Sequence, residues 1–160
     1  MPSPLAKNVI EAARDAKWMI GTVESWTGGM IFASLTDIAG ASAVLDRGFI
    51  SYSNQAKQEM VGVSVGTLEA HGAVSQQSAA AMAVGGITHS AADISLSVTG
   101  VAGPGGGSPD KPVGLVWMAI ATKDGVQISK RFDFSGDRQA VRSQAVEAGL
   151  TLILEALPKV

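Results

Sequence analysis

The spacing of apolar and polar residues changes several times along the chain, and each change marks an element. Leu5, Val9, Ile10 and Ala13 recur at helical spacing behind Ser3 and Pro4, an N-cap followed by a first helical residue. A helix is therefore predicted to about Ala16 or Lys17. Residues 18–23 form a short apolar run, the pattern of a strand covered on both faces. A polar turn at 24–29 follows, and helical spacing resumes from Met30 to about Thr36. Residues 37–42 read as a loop by composition. Phe49, Ile50 and Tyr52 place a second strand at 47–52. Residues 53–57 turn into a short helix that ends near Val61 and Gly62. A linker at 63–72 carries a helical piece at 66–70.

Farther on, Ser75-Gln76-Gln77-Ser78 resembles a capping box opening an Ala- and Met-rich helix to about Ser90. Its Ala79, Met82, Ala83 and Gly86 favour close packing. Residues 93–99 alternate strictly and predict a strand, which ends on the glycine-rich stretch 100–107. Strands at 113–121 and 126–134 flank Asp124-Gly125, a hairpin signal. Asp137 opens the last helix, with Val141, Ala145, Ala148 and Leu152 turned inward, ending near Leu157 and Pro158. Strands separated by helices suit parallel pairing, and the final hairpin is necessarily antiparallel. The predicted fold is a three-layer α/β/α domain spanning 1–160, with a mixed, mostly parallel sheet ending in an antiparallel hairpin.

Composition narrows the function classes. At 160 residues and 46% hydrophobic content the chain has material for one real core. A net charge of -2 with no basic run argues against nucleic acid or an anionic membrane as a partner. Absence of cysteine removes disulfides, thiolate metal sites and a cysteine nucleophile. No apolar stretch of roughly 18 residues reads as a membrane span, and no secretion signal opens the chain. A soluble, cytoplasmic protein is expected. Charged residues are only 16%, which hints at a homo-oligomer, a dimer by default.

The turn Glu24-Ser25-Trp26-Thr27-Gly28-Gly29 joins a strand to a helix start. Free N–H groups at such a start favour an anion or a developing oxyanion, and a serine there can act as a nucleophile. The same pattern also suits a plain N-cap, with Gly28 and Gly29 giving tight packing. Lys57, near the positive end of a helix, suits a lowered pKa and a role as base; a solvated helix lysine fits equally. The 100–107 stretch can cradle a phosphate or carboxylate on its backbone, or merely connect. It matches neither a Walker A sequence nor G-x-G-x-x-G. Arg138 and Arg142 share a helix face and can hold an anion, or pair locally with Asp137. His71 and His89 lie apart with no partner motif, so they read as structural and no metal site is expected. In an open α/β sheet the turns at 24–29, 52–57 and 99–107 meet at one edge if their strands are parallel.

These residues carry a resemblance. The stretches Glu24-Ser25-x-Thr27-Gly28-Gly29, Arg47-Gly48-Phe49-Ile50-Ser51-Tyr52-Ser53-Asn54-Gln55-Ala56-Lys57, His71-Gly72-Ala73-Val74-Ser75, Thr99-Gly100-Val101-Ala102-Gly103-Pro104-Gly105-Gly106-Gly107 and Phe134-Ser135-Gly136-Asp137-Arg138-x-x-Val141-Arg142 occur in order over almost the whole chain. In these motifs the sequence is similar to the CinA C-terminal domain family, whose characterised activity is nicotinamide-nucleotide amidase. The resemblance implies a stand-alone amidase that converts nicotinamide mononucleotide to nicotinic acid mononucleotide and ammonia, without a cofactor. The family's serine falls on Ser25 and its lysine on Lys57, with Tyr52 and Thr99 relaying or orienting the proton. The substrate-binding set implied is Glu24, Thr27, Gly28, Gly29, Gly100, Ala102, Gly103, Gly105, Arg138 and Arg142. The sequence departs from the family at Trp26, where cysteine is usual; a residue that large reshapes the pocket. Two other classes fit the pattern: a nucleotide-binding module whose catalysis Trp26 has ended, and an accessory protein in competence or damage responses. Ammonia release separates the first from an amidase, and a salt-dependent DNA shift would reveal the second.

Overall fold

The computed structural model describes residues 2–160. The Ser3 side chain accepts from the Ala6 N–H and opens helix α1, Pro4–Ala16, which buries Ala6, Val9, Ile10 and Ala13. Strand β1, Ile20–Glu24, is buried throughout and leads through the 25–29 turn into α2, Met30–Thr36. After a single 3-10 turn at Ala41–Ala43, inside the expected loop, comes β2, Leu45–Ile50. Helices α3, Asn54–Val61, α4, Val65–His71, and α5, Gln76–Thr88, follow. The chain closes with β3, Ile94–Gly100, β4, Leu115–Thr122, β5, Gln127–Asp133, and α6, Arg138–Ala156. No helix among the described residues is long and apolar enough to cross a membrane.

The sheet order is β2-β1-β3-β4-β5. β1 pairs in parallel with both β2 and β3, and the pairings of β4 with β3 and β5 are antiparallel. β4 alone runs against the other four strands, so the carboxyl ends of β1, β2 and β3 share one edge. The expected mixed, mostly parallel sheet with a terminal hairpin is the observed one, and the hairpin turns through Gly125 at φ +87°.

The two faces of the sheet are built from different residues. Ile94, Leu96 and Val98 of β3 and Val116, Met118 and Ile120 of β4 meet α1, α2 and α6 in the main core. On the opposite face Ala119 and Ala121 pack against Ala79 and Ala83 of α5, and the Ser97 hydroxyl donates to the Ala79 carbonyl. The strict alternation in β3 thus reflects two buried faces, one lined by large apolar residues and one by small and hydroxylated residues.

Several details differ from the pattern reading. β2 begins at Leu45, opposite Ile20, and stops at Ile50, opposite Glu24, because β1 turns away at Ser25 and leaves nothing to pair with. Tyr52 consequently stands outside the strand and 64% exposed, against its β propensity. β1 starts at Ile20 instead of Trp18; Met19 donates its N–H to the Asp93 carboxylate. The capping box at α5 is half made: Ser75 Oγ accepts from the Ser78 N–H, but Ser78 Oγ donates to the Gly72 carbonyl.

Candidate active site

Ser25 directly follows β1 and is buried in the turn that reverses the chain into α2. Gly28 and Gly29, at φ +62° and +95°, hold left-handed conformations that other residues rarely adopt. They bend the turn so that Thr27 comes back toward Glu24, and Thr27 Oγ1 donates to Glu24 Oε1 at 2.8 Å. Lys57 lies in the first turn and a half of α3, behind the Ser53 cap, and is only 1% exposed. Its Nζ donates to the carbonyls of Ser51 at 2.9 Å and Tyr52 at 3.0 Å and sits 3.5 Å from Ser25 Oγ.

That arrangement has a chemical consequence. Burial disfavours the charged amine and holds the Lys57 pKa below the ordinary lysine value. A neutral amine has two N–H groups and one lone pair. The two carbonyls take the N–H groups, and the lone pair is left for the Ser25 hydroxyl proton. Burial is the cause of the shift.

A cleft of about 310 Å³ opens over this pair. Of the residues expected to form the site, Ser25, Lys57, Tyr52, Thr99, Gly100, Ala102, Gly103, Gly105 and Arg138 line it. Thr99 Oγ1 donates to the Ala73 carbonyl, which commits its proton and leaves it an acceptor toward the cleft. Tyr52 contributes its carbonyl to Lys57 and its ring to the exposed rim. Arg138 lines the glycine-rich wall and donates one N–H to the Gly103 carbonyl. The rest of its guanidinium donors remain for a ligand.

The other expected substrate contacts sit elsewhere. Arg142 Nε donates to the Trp26 carbonyl and braces the turn from outside the cleft. Gly28 and Gly29 serve the turn's conformation and do not line the cleft. Glu24 and Thr27 are buried and bonded to each other and to the α2 N-terminus. The N–H groups of Met30, Ile31 and Phe32 at the start of α2 are therefore already bonded. Gly28 N–H is taken by the Ser25 carbonyl. Among the described residues the N–H groups of Ser25, Trp26, Thr27 and Gly29 have no hydrogen-bond partner, and of these residues Ser25 and Trp26 line the cleft.

The cleft also contains Val101 and Gly106 of the expected glycine-rich stretch, and three residues given no role in the sequence reading: Asn54, Ala73 and Val74. Asn54 stands three positions before Lys57 on α3, a spacing that would have placed it on the same face. Ala73 and Val74 arrive through the long-range bond from Thr99 and carry no local signal. Trp26 lines the cleft while its ring joins the main core, 7% exposed. His71 and His89 line no part of it.

Comparison with known proteins gives a consistent result. The family described as CinA C-terminal domain matches residues 2–157. A nicotinamide-nucleotide amidohydrolase PncC from Enterobacter agglomerans is 51% identical over 94% of this chain and 92% of its own length. A putative competence-damage inducible protein from Caldicellulosiruptor bescii is 50% identical over 93% of this chain but only 36% of its own length. The crystal structure of the competence/damage inducible protein CihA from Agrobacterium tumefaciens superposes with a TM-score of 0.92 at 43% identity, covering 94% of this chain and 92% of that one.

Proposed function

The chain belongs to the CinA C-terminal domain family, and from that membership we propose that it hydrolyses the carboxamide of nicotinamide mononucleotide to nicotinic acid mononucleotide and ammonia. The observation that carries the reading is the 3.5 Å approach of Ser25 Oγ to the amine of buried Lys57.

Ser25 Oγ attacks the amide carbon while its proton passes to the lone pair of Lys57. Free N–H groups of the turn receive the oxyanion. Lys57 returns the proton to the departing nitrogen, which leaves as ammonia, and an ester to Ser25 remains. Water then attacks that ester with Lys57 as base, and the acid and the free serine are released. Thr99 orients the reacting group as an acceptor, and Tyr52 closes the rim. Arg138 and the backbone at Gly103 and Gly105 hold the nucleotide's phosphate; Arg142 supports the turn instead. The proposal includes a single domain acting in the cytoplasm as a homodimer. In favour of the dimer are the low charge content and the exposed Val126, just before the edge strand β5, and Ile128 on it.

Ammonia release from nicotinamide mononucleotide tests the reading. Wild type is expected to release ammonia, and Ser25→Ala and Lys57→Ala are each expected to lose at least about a thousandfold in turnover. Unchanged turnover in Ser25→Ala would remove the nucleophile assignment. The indole of Trp26 in the cleft wall favours a second reading, a nucleotide-binding module. Calorimetric binding of the nucleotide by a folded wild type that releases no ammonia would select it.

A further inference from the structure

Glu24 and Lys57 are the charged residues that the fold buries among those described. Lys57 has a place in the proposed chemistry. Glu24, 1% exposed, lies outside the cleft, and among the described residues no lysine, arginine or histidine pairs with it. Its carboxylate instead gathers four donors from the turn and its surroundings. Oε1 accepts from Thr27 Oγ1 at 2.8 Å and the Ile31 N–H at 3.0 Å; Oε2 accepts from Thr22 Oγ1 at 3.1 Å and the Phe32 N–H at 3.0 Å. The positive end of α2 supplies the stabilising field that a cation would otherwise supply.

Each carboxylate oxygen thus faces one backbone N–H. A hydroxyl can rotate to become an acceptor, but a backbone N–H cannot. Were the residue glutamine, either orientation of its amide would set its NH2 against the Ile31 or the Phe32 N–H. Only an acceptor at both positions satisfies the site. We propose that Glu24 is a positioning residue for the nucleophile: its carboxylate ties Thr27 and the start of α2 to the end of β1 and so fixes where Ser25 Oγ lies relative to Lys57. The inference rests on the reading of Ser25 as nucleophile. It replaces the substrate contact that the sequence suggested for Glu24.

Arg142 and Ser51 complete the grip from other sides. Arg142 Nε holds the Trp26 carbonyl, and Ser51 donates its N–H to the Glu24 carbonyl at 2.8 Å while its own carbonyl accepts from Lys57. Ser51 therefore spans from the nucleophile's strand to the base. The carboxylate is the part of this frame that joins the turn to the start of α2, and a side-chain substitution can remove it.

The test is Glu24→Gln in the ammonia-release assay. A displacement of Ser25 by about 1 Å is worth about a hundredfold in rate, so kcat is expected to fall by that order. KM is expected to stay within about twofold of wild type, because the glycine-rich wall and Arg138 are untouched. Reaction of Ser25 with a fluorophosphonate, followed by mass spectrometry, reads nucleophile placement without amide turnover and is expected to slow by a similar factor. Thr22→Val removes one hydroxyl donor to Oε2; it is expected to give the same split with a smaller loss, and it decides the matter if Glu24→Gln does not fold. Unchanged kcat and labelling, or a raised KM with kcat intact, would overturn the assignment. A wild type that releases no ammonia, but whose Ser25 labelling slows in the variant, overturns the amidase reading and supports this one. A wild type inert in both assays overturns both.

Discussion

Lys57 is where sequence, burial and chemistry meet in a single side chain. In the unfolded chain its amine titrates near the ordinary lysine value of 10.5, and in the folded protein burial lowers that value. Between the two the unfolded chain binds the additional proton, so stability rises with pH through that window and is fully regained above 10.5. Against Lys57→Met, which buries a similar volume without titrating, wild type is expected to gain about 1.4 kcal/mol per pH unit inside the window. Urea unfolding of both proteins at a series of pH values measures the difference, and a gap that does not change with pH would contradict a depressed amine. The same titration shapes activity, which is expected to rise with pH and reach its plateau below 10.5.

At the scale of elements, the separation of α3 from α5 decides whether Lys57 reaches Ser25. Gly85 of α5 lies directly under the end of α3: a Cβ there would collide with the backbone carbonyl of Val61. Backbone cannot rotate out of the way as a side-chain tip can. Gly85→Ala is therefore expected to push the helices apart and to lower stability by about 3 kcal/mol in denaturant unfolding. Ammonia release should fall with it, because α3 carries Lys57. Wild-type stability in that variant would mean that the pair can separate without strain. Gly86, the next residue, faces side chains of the sheet instead, Ser95 and Val23, with Val23 Cγ2 at 2.8 Å from an added Cβ. The glycines and alanines of α5 thus set its distance from the sheet.

For the molecule as a whole, net charge and its distribution bear on partners. The charge is -2, the sequence has no basic run, and the ion pairs Lys7–Glu11, Arg47–Asp46, Lys123–Asp93 and Arg131–Asp133 lie on separate elements. Despite the competence and damage names among its relatives, the protein is expected to leave the anisotropy of a labelled DNA duplex unchanged even at low salt. A salt-dependent rise would reopen nucleic acid as a partner. What the sequence determined by itself was everything governed by local spacing. The 3.6 and 2 periods marked the helices and strands, Ser3 and Asp137 marked helix starts, and Asp124-Gly125 marked the hairpin, because caps, turns and periodic faces depend on neighbours a few residues away. The motifs also drew Ser25, Lys57 and the glycine-rich stretch into one expected site. Only the tertiary structure decided what each side chain then touches. It bonded Glu24 to the start of α2 and Arg142 to the Trp26 carbonyl, ended β2 before Tyr52, and brought Ala73 and Val74 to the cleft through Thr99. Apart from the bonds of Glu24, which reach seven and eight residues along the chain, those outcomes depend on partners dozens of residues away, and all of them on the rule that a buried donor or acceptor takes whatever partner the packed fold brings within reach.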